Sequence, residues 1–237
     1  DLLTVVNRSS MKVVISGASG LVGGALTKAL VAAGHEVIRL VRKTPHTGEV
    51  AWNVVDQTID AAGLEGCDAV VHLAGASIAD KRWSEARKAV IRDSRVDGTR
   101  LLAQTLAGLE RKPEVLISGS AVGFYGDAGD GVVDETAPMG TGFLAEVCDA
   151  WERAARPAED AGIRVVYLRT GLVMAAEGGA LAKMLPAFKM GMGGPMGSGR
   201  QYMPWIALAD HVRAIQHCIE HTEIVGPVNA TAPSPVP

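Results

Sequence analysis

The chain has 237 residues, 48% of them hydrophobic and 21% charged, with a net charge of −3. That balance suits a soluble globular core. It offers no broad basic field for nucleic acid or an anionic membrane, and no apolar run approaches the ~18 residues that suggest a membrane span. The three cysteines, Cys67, Cys148 and Cys218, are scattered and odd in number with no C-x-x-C pair. Reduced thiols and a cytoplasmic location are expected. The opening Asp1–Val6 is acidic and short, unlike a secretory leader. Residues 1–10 precede a natural-looking start at Met11 and read as a linker or the remnant of an upstream segment.

Val13, Val14 and Ile15 form a β-branched run suited to a strand buried on both faces of a parallel sheet. Gly17, Gly20 and Gly23 follow, and Leu21, Val22, Ala25, Leu26, Ala29 and Leu30 then recur at helical spacing. Strand, glycine turn and helix in this order make a phosphate-binding unit. Gly17 allows the tight turn, Gly20 clears space for a pyrophosphate and Gly23 lets the helix pack on the strand. The helix N-terminus offers unpaired N–H groups and a positive dipole end to the anion. A tight turn without a ligand is the bland alternative.

Gly34 closes the helix, and Glu36–Val41 reads as the second strand, ending in Arg42 and Lys43. A protein selecting NAD usually places an acid near here, about 20 residues past the glycines, for the ribose hydroxyls. A guanidinium instead suits the 2′-phosphate of NADP. One such charge-assisted contact is worth about 1.5–3 kcal/mol, roughly a 10- to 100-fold preference. NADP(H) is the expected cofactor, with a merely solvated basic strand end as the alternative. Residues 44–66 read as polar and irregular, with a short helix around 59–64.

Asp68–Gly75 is the third strand, running into a small-residue turn where Ala74 and Gly75 leave room for a dinucleotide. His72 within it reads as a core or edge histidine. A mixed-charge helix follows Lys81, Arg82 and Trp83, and a separate amphipathic helix spans about 94–109. Val115–Ile117 begins the fourth strand, which ends in Ser118-Gly119-Ser120 before Tyr125-Gly126. Ser120 is placed to touch a substrate carbonyl, or serves as a turn cap. Beyond an acidic loop at 127–139 come a helix at 142–161 and a fifth strand at 164–168. Five strands alternating with helices predict an α/β, doubly wound parallel sheet with right-handed crossovers.

A helix at 180–189, a glycine-rich loop at 191–199, a short strand at 202–206 and a final helix capped by Asp210 complete the pattern. The methionines between Met190 and Met203 read as core filling, with an adaptable substrate pocket as the alternative. His217 and His221 stand four apart, yet no third ligand is evident; no metal is expected. The final Asn229–Pro237 run follows a predicted strand amid prolines, so further residues are expected after it.

The glycine spacing resembles that of the short-chain dehydrogenase/reductase superfamily in its extended, epimerase-like branch. Within that branch the chain is similar to an atypical subfamily of epimerase family proteins, described as nucleoside-diphosphate-sugar epimerase-like. The runs carrying the resemblance are HLAGASI (72–78), IRDSRVDGTRLL (91–102), SGSAVGFYGD (118–127), FLAEVCDAWE (143–152), LRTGLVM (168–174), ALAKMLPAFKMGMGGPMGSGRQYMPWI (180–206) and GPVNATAP (226–233). The resemblance implies an NAD(P)-binding Rossmann fold. The chain is expected to divide into an NADP-binding Rossmann core at 11–175 and a partial C-terminal part at 176–237 that holds the substrate-side region and the last Rossmann elements, continued in members of the subfamily beyond the NATAP run. The residues expected to hold the cofactor are Gly17, Ser19, Gly20, Leu21, Val22, Gly23, Arg42, Lys43, Leu73, Ala74, Gly75 and Arg169.

Ordinary members of the superfamily use Tyr-x-x-x-Lys, the lysine tuning the tyrosine for acid/base work. Here the residues four on from Tyr125, Tyr167 and Tyr202 are Gly129, Gly171 and Ile206. Aligned through Glu152, Leu144 takes the tyrosine place and Cys148 the lysine place. Ser120 and Tyr125 match the superfamily's substrate-positioning hydroxyl and Tyr-Gly turn, and are the expected catalytic residues. Two readings follow: an NADP(H)-dependent oxidoreductase or epimerase acting on an unidentified small carbonyl or sugar-nucleotide-like substrate, or a non-catalytic NADP(H)-binding sensor. A homo-oligomer is compatible with either.

Overall fold

The structure, a computed structural model, describes residues 10–194, 198–234 and 236. The expected linker at 1–9, the centre of the glycine-rich loop at 195–197, and Pro235 and Pro237 lie outside the described residues. β1 (Lys12–Ser16) passes through the glycine turn into α1 (Leu21–Ala32), and β2 (Glu36–Val41) follows. Residues 44–66, expected to be irregular, contain β3 (Glu49–Asn53) and β4 (Thr58–Ile59) as well as a 3-10 turn at Ala61–Leu64. In β3 only Val50 and Trp52 turn into the core, flanked by Glu49 and Asn53, so there is no β-branched run to announce it. Pairing with β2, reinforced by Arg39 on Glu49 at 3.0 Å, makes it a strand.

β5 (Ala69–His72) leads into α2 (Glu85–Ala107), a single helix of 23 residues where two were expected. Ser84 caps it by accepting from the Arg87 N–H, and Gly98 in its middle faces the Trp52 ring without breaking it. β6 (Val115–Ala121) ends in a 3-10 turn at Val122–Tyr125. The helix expected at 142–161 is divided into α3 (Phe143–Arg153) and α4 (Arg156–Asp160). Pro157 lies in the first turn of α4, where its missing N–H costs nothing, whereas the middle of one long helix would not tolerate it. β7 (Arg164–Thr170), β8 (Leu172–Ala175), α5 (Gly179–Lys189), β9 (Trp205–Ala207), α6 (Leu208–Glu220) and β10 (Gly226–Ala230) complete the order. α6 begins two residues before Asp210, which pairs with Arg213 in the first turn and caps nothing.

The main sheet has eight strands in the order β10-β7-β6-β5-β1-β2-β3-β4, parallel throughout except for β4. α1 and α6 cover one face, packing Leu26, Leu30, Ile215 and Ile219 on Val13, Ile15, Val71 and Ile117. α2 and α4 cover the other, packing Leu102, Leu106 and Ala158 on Val14, Val70, Leu116 and Val165. This is a doubly wound Rossmann-like fold, with β3, β4 and β8 added to the strands expected. From β1 the chain builds outward through β2, β3 and β4 and then crosses back to β5 on the other side of β1. The carboxyl ends of β1 and β5 therefore flank the switch point at which such sheets bind ligands. β8 and β9 form a small parallel sheet of their own.

Candidate functional site

At the switch point Gly17 adopts φ +72°, and a Cβ there would lie 2.9 Å from the Leu73 carbonyl carbon. The glycine turn and the Leu73-Ala74-Gly75 turn are thus in backbone contact. Gly23 is equally constrained, since its Cβ would fall 2.3 Å from the Gly17 oxygen. Gly20 is different: φ is −76° and a Cβ would meet only the Gly17 oxygen at 3.3 Å. Internal packing explains Gly17 and Gly23 but asks little of Gly20. Space outside the protein at Gly20 is what a side chain would fill.

α1 starts at this point with no side-chain cap and no acid in its first turn. Its first N–H groups and dipole end meet no built-in negative charge. Ser19 and Gly20 are exposed, Val22 is partly buried, and Leu21 packs its Cδ atoms against Gly178 and Gly179, 3.0–3.2 Å from where their Cβ atoms would be. Leu40 is the register partner of Ser16, so Arg42 and Lys43 stand just past the strand end, level with the glycine turn and exposed. Arg42 pairs with no carboxylate among the described residues, while Lys43 helps hold the Glu49 carboxyl below its usual range, behind the larger effect of the His46 N–H. An uncapped helix start, a cradle cleared of side chains and a free guanidinium suit a phosphorylated dinucleotide.

Beneath the two turns lies a buried pair. The Ser16 hydroxyl accepts from the Leu73 and Ala74 N–H groups at 3.1 and 3.3 Å and lies 2.6 Å from His72 Nδ1. With both turn N–H groups directed at its oxygen, the single hydroxyl proton goes to His72 Nδ1, leaving a neutral imidazole. Burial pushes the His72 pKa down to about 4, in keeping with that state.

A second group of side chains stands on β6, β7 and β10, where Ser120, Arg169 and Asn229 are in register. Ser120 Oγ donates to Glu152 Oε1 at 2.7 Å. Arg169 meets the same carboxylate with two parallel bonds of 2.9 Å and donates through Nη1 to the Tyr125 oxygen at 3.0 Å. Tyr125 in turn donates to Asn229 Oδ1 at 2.7 Å. The guanidinium carbon lies 3.5 Å from the centre of the Phe124 ring. Arg169, expected with the cofactor residues, therefore belongs with Ser120 and Tyr125, its charge balanced by Glu152.

The Ser120 and Tyr125 hydroxyls, expected to be catalytic, both direct their protons at internal acceptors and not at an outside carbonyl. Leu144 and Cys148 lie against Gly123 in the adjoining 3-10 turn, and burial pushes the Cys148 thiol up to about 11. No acid or base stands at either place. Glu152 and Asn229 lie inside the matching runs quoted above, but their roles depend on partners 32 and 104 residues away.

Arg95 was not anticipated. Its guanidinium packs on Gly75, where a Cβ would be 3.3 Å from Cζ, donates to the Ala76 and Ile91 oxygens at 3.0 Å, and covers the Trp151 ring at 5.0 Å. His217 and His221 stack at 3.9 Å on α6, and His221 meets Glu223 at 2.9 Å. Among the described residues no group of three His, Cys, Asp or Glu could hold a metal. Met190 and Met192 are exposed, not core filling, because they follow α5, which buries no residue; Met196 lies outside the described residues. No helix among the described residues is long and apolar enough to cross a membrane.

The sequence profile of the NAD dependent epimerase/dehydratase family matches residues 13–230. An epimerase family protein of Mycobacterium bovis is 49% identical over 225 residues, covering 94% of this chain and 74% of its own length. Human epimerase family protein SDR39U1 is 37% identical, covering 94% of this chain and 75% of its own. Among solved structures, a nucleoside-diphosphate sugar epimerase from Corynebacterium glutamicum superposes with a TM-score of 0.86 at 42% identity, over 96% of this chain. This chain spans 48% of that protein's length. Human SDR39U1 in a structure with NADPH gives a TM-score of 0.87 at 36% identity, over 95% of this chain and 76% of its own.

Proposed function

Because the chain belongs to the NAD dependent epimerase/dehydratase family, we propose that it is an NADP(H)-dependent, epimerase-like oxidoreductase acting on a small carbonyl or sugar-nucleotide-like substrate. The observation that carries the cofactor choice is Arg42, exposed and with no carboxylate partner among the described residues, just past β2 where an NAD-selecting protein holds an acid. The human relative's structure with NADPH supports the same choice. Gly17 and Gly20 would admit the pyrophosphate to the start of α1, Leu73–Gly75 would floor the cradle, and Arg42 with Lys43 would hold the 2′-phosphate. Hydride transfer is the chemistry that the bound nicotinamide supplies. Ser120, whose O–H donates to Glu152, offers its lone pairs, so it would accept a hydrogen bond from a substrate hydroxyl. Buried free thiols at Cys67, Cys148 and Cys218 suit a reducing, cytoplasmic setting.

A second reading, a non-catalytic NADP(H)-binding protein, is favoured by Leu144 and Cys148 in the tyrosine and lysine places. One measurement tests the cofactor choice common to both readings, and a second separates them. NADPH should bind at least about tenfold more tightly than NADH, and Arg42→Ala should erase most of that difference, the worth of one charge-assisted contact. Equal affinities in the wild-type protein would remove the clamp. NADP+ reduction across a panel of secondary alcohols and sugar nucleotides, abolished by Ser120→Ala, would establish the enzyme. Tight NADPH binding with no turnover would leave the sensor.

A further inference from the structure

The polar loop that leaves the carboxyl end of β5 lies between two guanidiniums from one helix. Arg95 sits on Gly75 and the Ala76 oxygen, and Arg87, two turns earlier on α2, donates through Nη2 to the Ser77 oxygen. Neither faces a carboxylate among the described residues. The acids nearby are engaged elsewhere: Glu85 with Lys88 at 2.9 Å, Asp93 with Arg92 at 2.9 Å, and Asp80 with Lys183 at 4.0 Å.

Two partly buried cations of the same sign therefore stand together without a counter-charge. Burial first, and the Arg87 charge as well, pull the Arg95 pKa below its ordinary value, while the Cys148 thiol opposes them. Unsatisfied donors accompany the charges. Arg87 Nε is buried with no acceptor, and so is the indole Nε1 of Trp151, the ring that Arg95 covers. Buried donors are nearly always paired in a folded protein, and orphans gathered around uncompensated charge are the complement of an oxyanion.

Trp83 and Phe143 stack edge to face at 5.5 Å, and Lys88, the neighbour of Arg87 in the chain, lies 5.6 Å from the Phe143 ring centre. Phe143 adjoins Leu144, which takes the place of the superfamily's tyrosine. Arg87 is also held firmly, because its own N–H closes the Ser84 cap. Loop anchoring alone does not account for the arrangement. One carbonyl oxygen needs one donor, and a neutral side chain supplies that without burying a charge.

We propose that Arg87, with Arg95 behind it, forms an oxyanion subsite beside the cofactor cradle, and that the substrate carries a carboxylate or phosphate seated there. This deepens the oxidoreductase reading and rests on it. The test titrates the NADPH-saturated full chain with inorganic phosphate and, separately, with malonate, for the wild type, Arg87→Gln and Arg87→Lys.

The wild type should bind at least one of the two anions, and whichever binds more tightly reports the kind of oxyanion. Arg87→Gln should weaken that binding at least tenfold, while its melting temperature stays at the wild-type value and its NADPH affinity changes less than threefold. Arg87→Lys, which keeps the charge but loses the fork, should recover part of the loss. The subsite is overturned by a wild type that binds neither anion, by unchanged anion binding in Arg87→Gln, or by a matching loss of NADPH affinity. That last result would give Arg87 to the cofactor. Should NADPH itself fail to bind, the cofactor reading falls, and the anion titration of the unliganded chain still decides Arg87.

Discussion

Glu152 is the residue on which the site turns. It accepts from the Ser120 hydroxyl and from Nε and Nη2 of Arg169, with only 11% of its side chain exposed and 5% of the arginine's. Removing one partner from a buried ion pair leaves the other charge uncompensated, which costs about 3–5 kcal/mol. Losing a hydroxyl that donates to a carboxylate costs roughly 1.5–3 kcal/mol. Glu152→Gln is therefore expected to be the more destabilising change, with Ser120→Ala the milder, in urea unfolding of both variants. Equal losses would mean that the pair contributes no more than the serine. Ser120, Tyr125 and Arg169 were each legible as special residues in the sequence. Their connection was not, since Glu152 reaches Arg169 across 17 residues and Ser120 across 32.

Among the elements, the βα unit at Lys12–Ala32 is the most legible, because its whole signal lies within two dozen consecutive residues. It also separates glycines of two kinds. Gly17→Ala places a side chain at positive φ and within 2.9 Å of the Leu73 backbone, so it should cost stability by more than about 1 kcal/mol and weaken NADPH binding. Gly20→Ala meets one oxygen at 3.3 Å with an ordinary φ, so its stability loss should stay below about 1 kcal/mol. NADPH affinity should nonetheless fall, because the methyl group occupies the space meant for phosphate. Thermal melts and NADPH titrations on both variants read this out, and an unaffected affinity in Gly20→Ala would mean that no phosphate approaches there. β3 and β4 were hidden for the opposite reason: their identity rests on edge pairing, of β3 with β2 and of β4 with β3, and on a single buried tryptophan. The break between α3 and α4 was marked by Pro157, yet apolar periodicity on either side of it suggests one helix.

Across the whole molecule, burial governs the response to acid. His72 and His211 are pushed from the ordinary 6.5 down to about 4 by burial alone. Between those values the unfolded chain takes up protons that the folded protein refuses. Stability is therefore full above about pH 6.5 and falls as the pH drops towards 4, by up to about 1.4 kcal/mol per pH unit for each histidine. Urea midpoints measured from pH 7.5 to 4.5 should decline through that window, more shallowly when His211 is replaced by a residue that does not titrate. A flat profile would mean that both rings titrate alike in the folded and unfolded states.

What the sequence determined by itself is everything carried by neighbours along the chain. The β-branched core strands, the glycine turn, the basic end of β2 and the matching family runs all have their cause within a few residues. They sufficed for a doubly wound α/β fold and for family membership. Only the tertiary structure decided where the protons and charges reside. It turned Ser120 and Tyr125 inward, balanced Arg169 with Glu152, and gave Arg87 and Arg95 backbone oxygens but no carboxylate among the described residues. The physical reason is that hydrogen bonds and desolvation act through space. The strand register joins Ser120, Arg169 and Asn229 across more than a hundred residues of intervening chain.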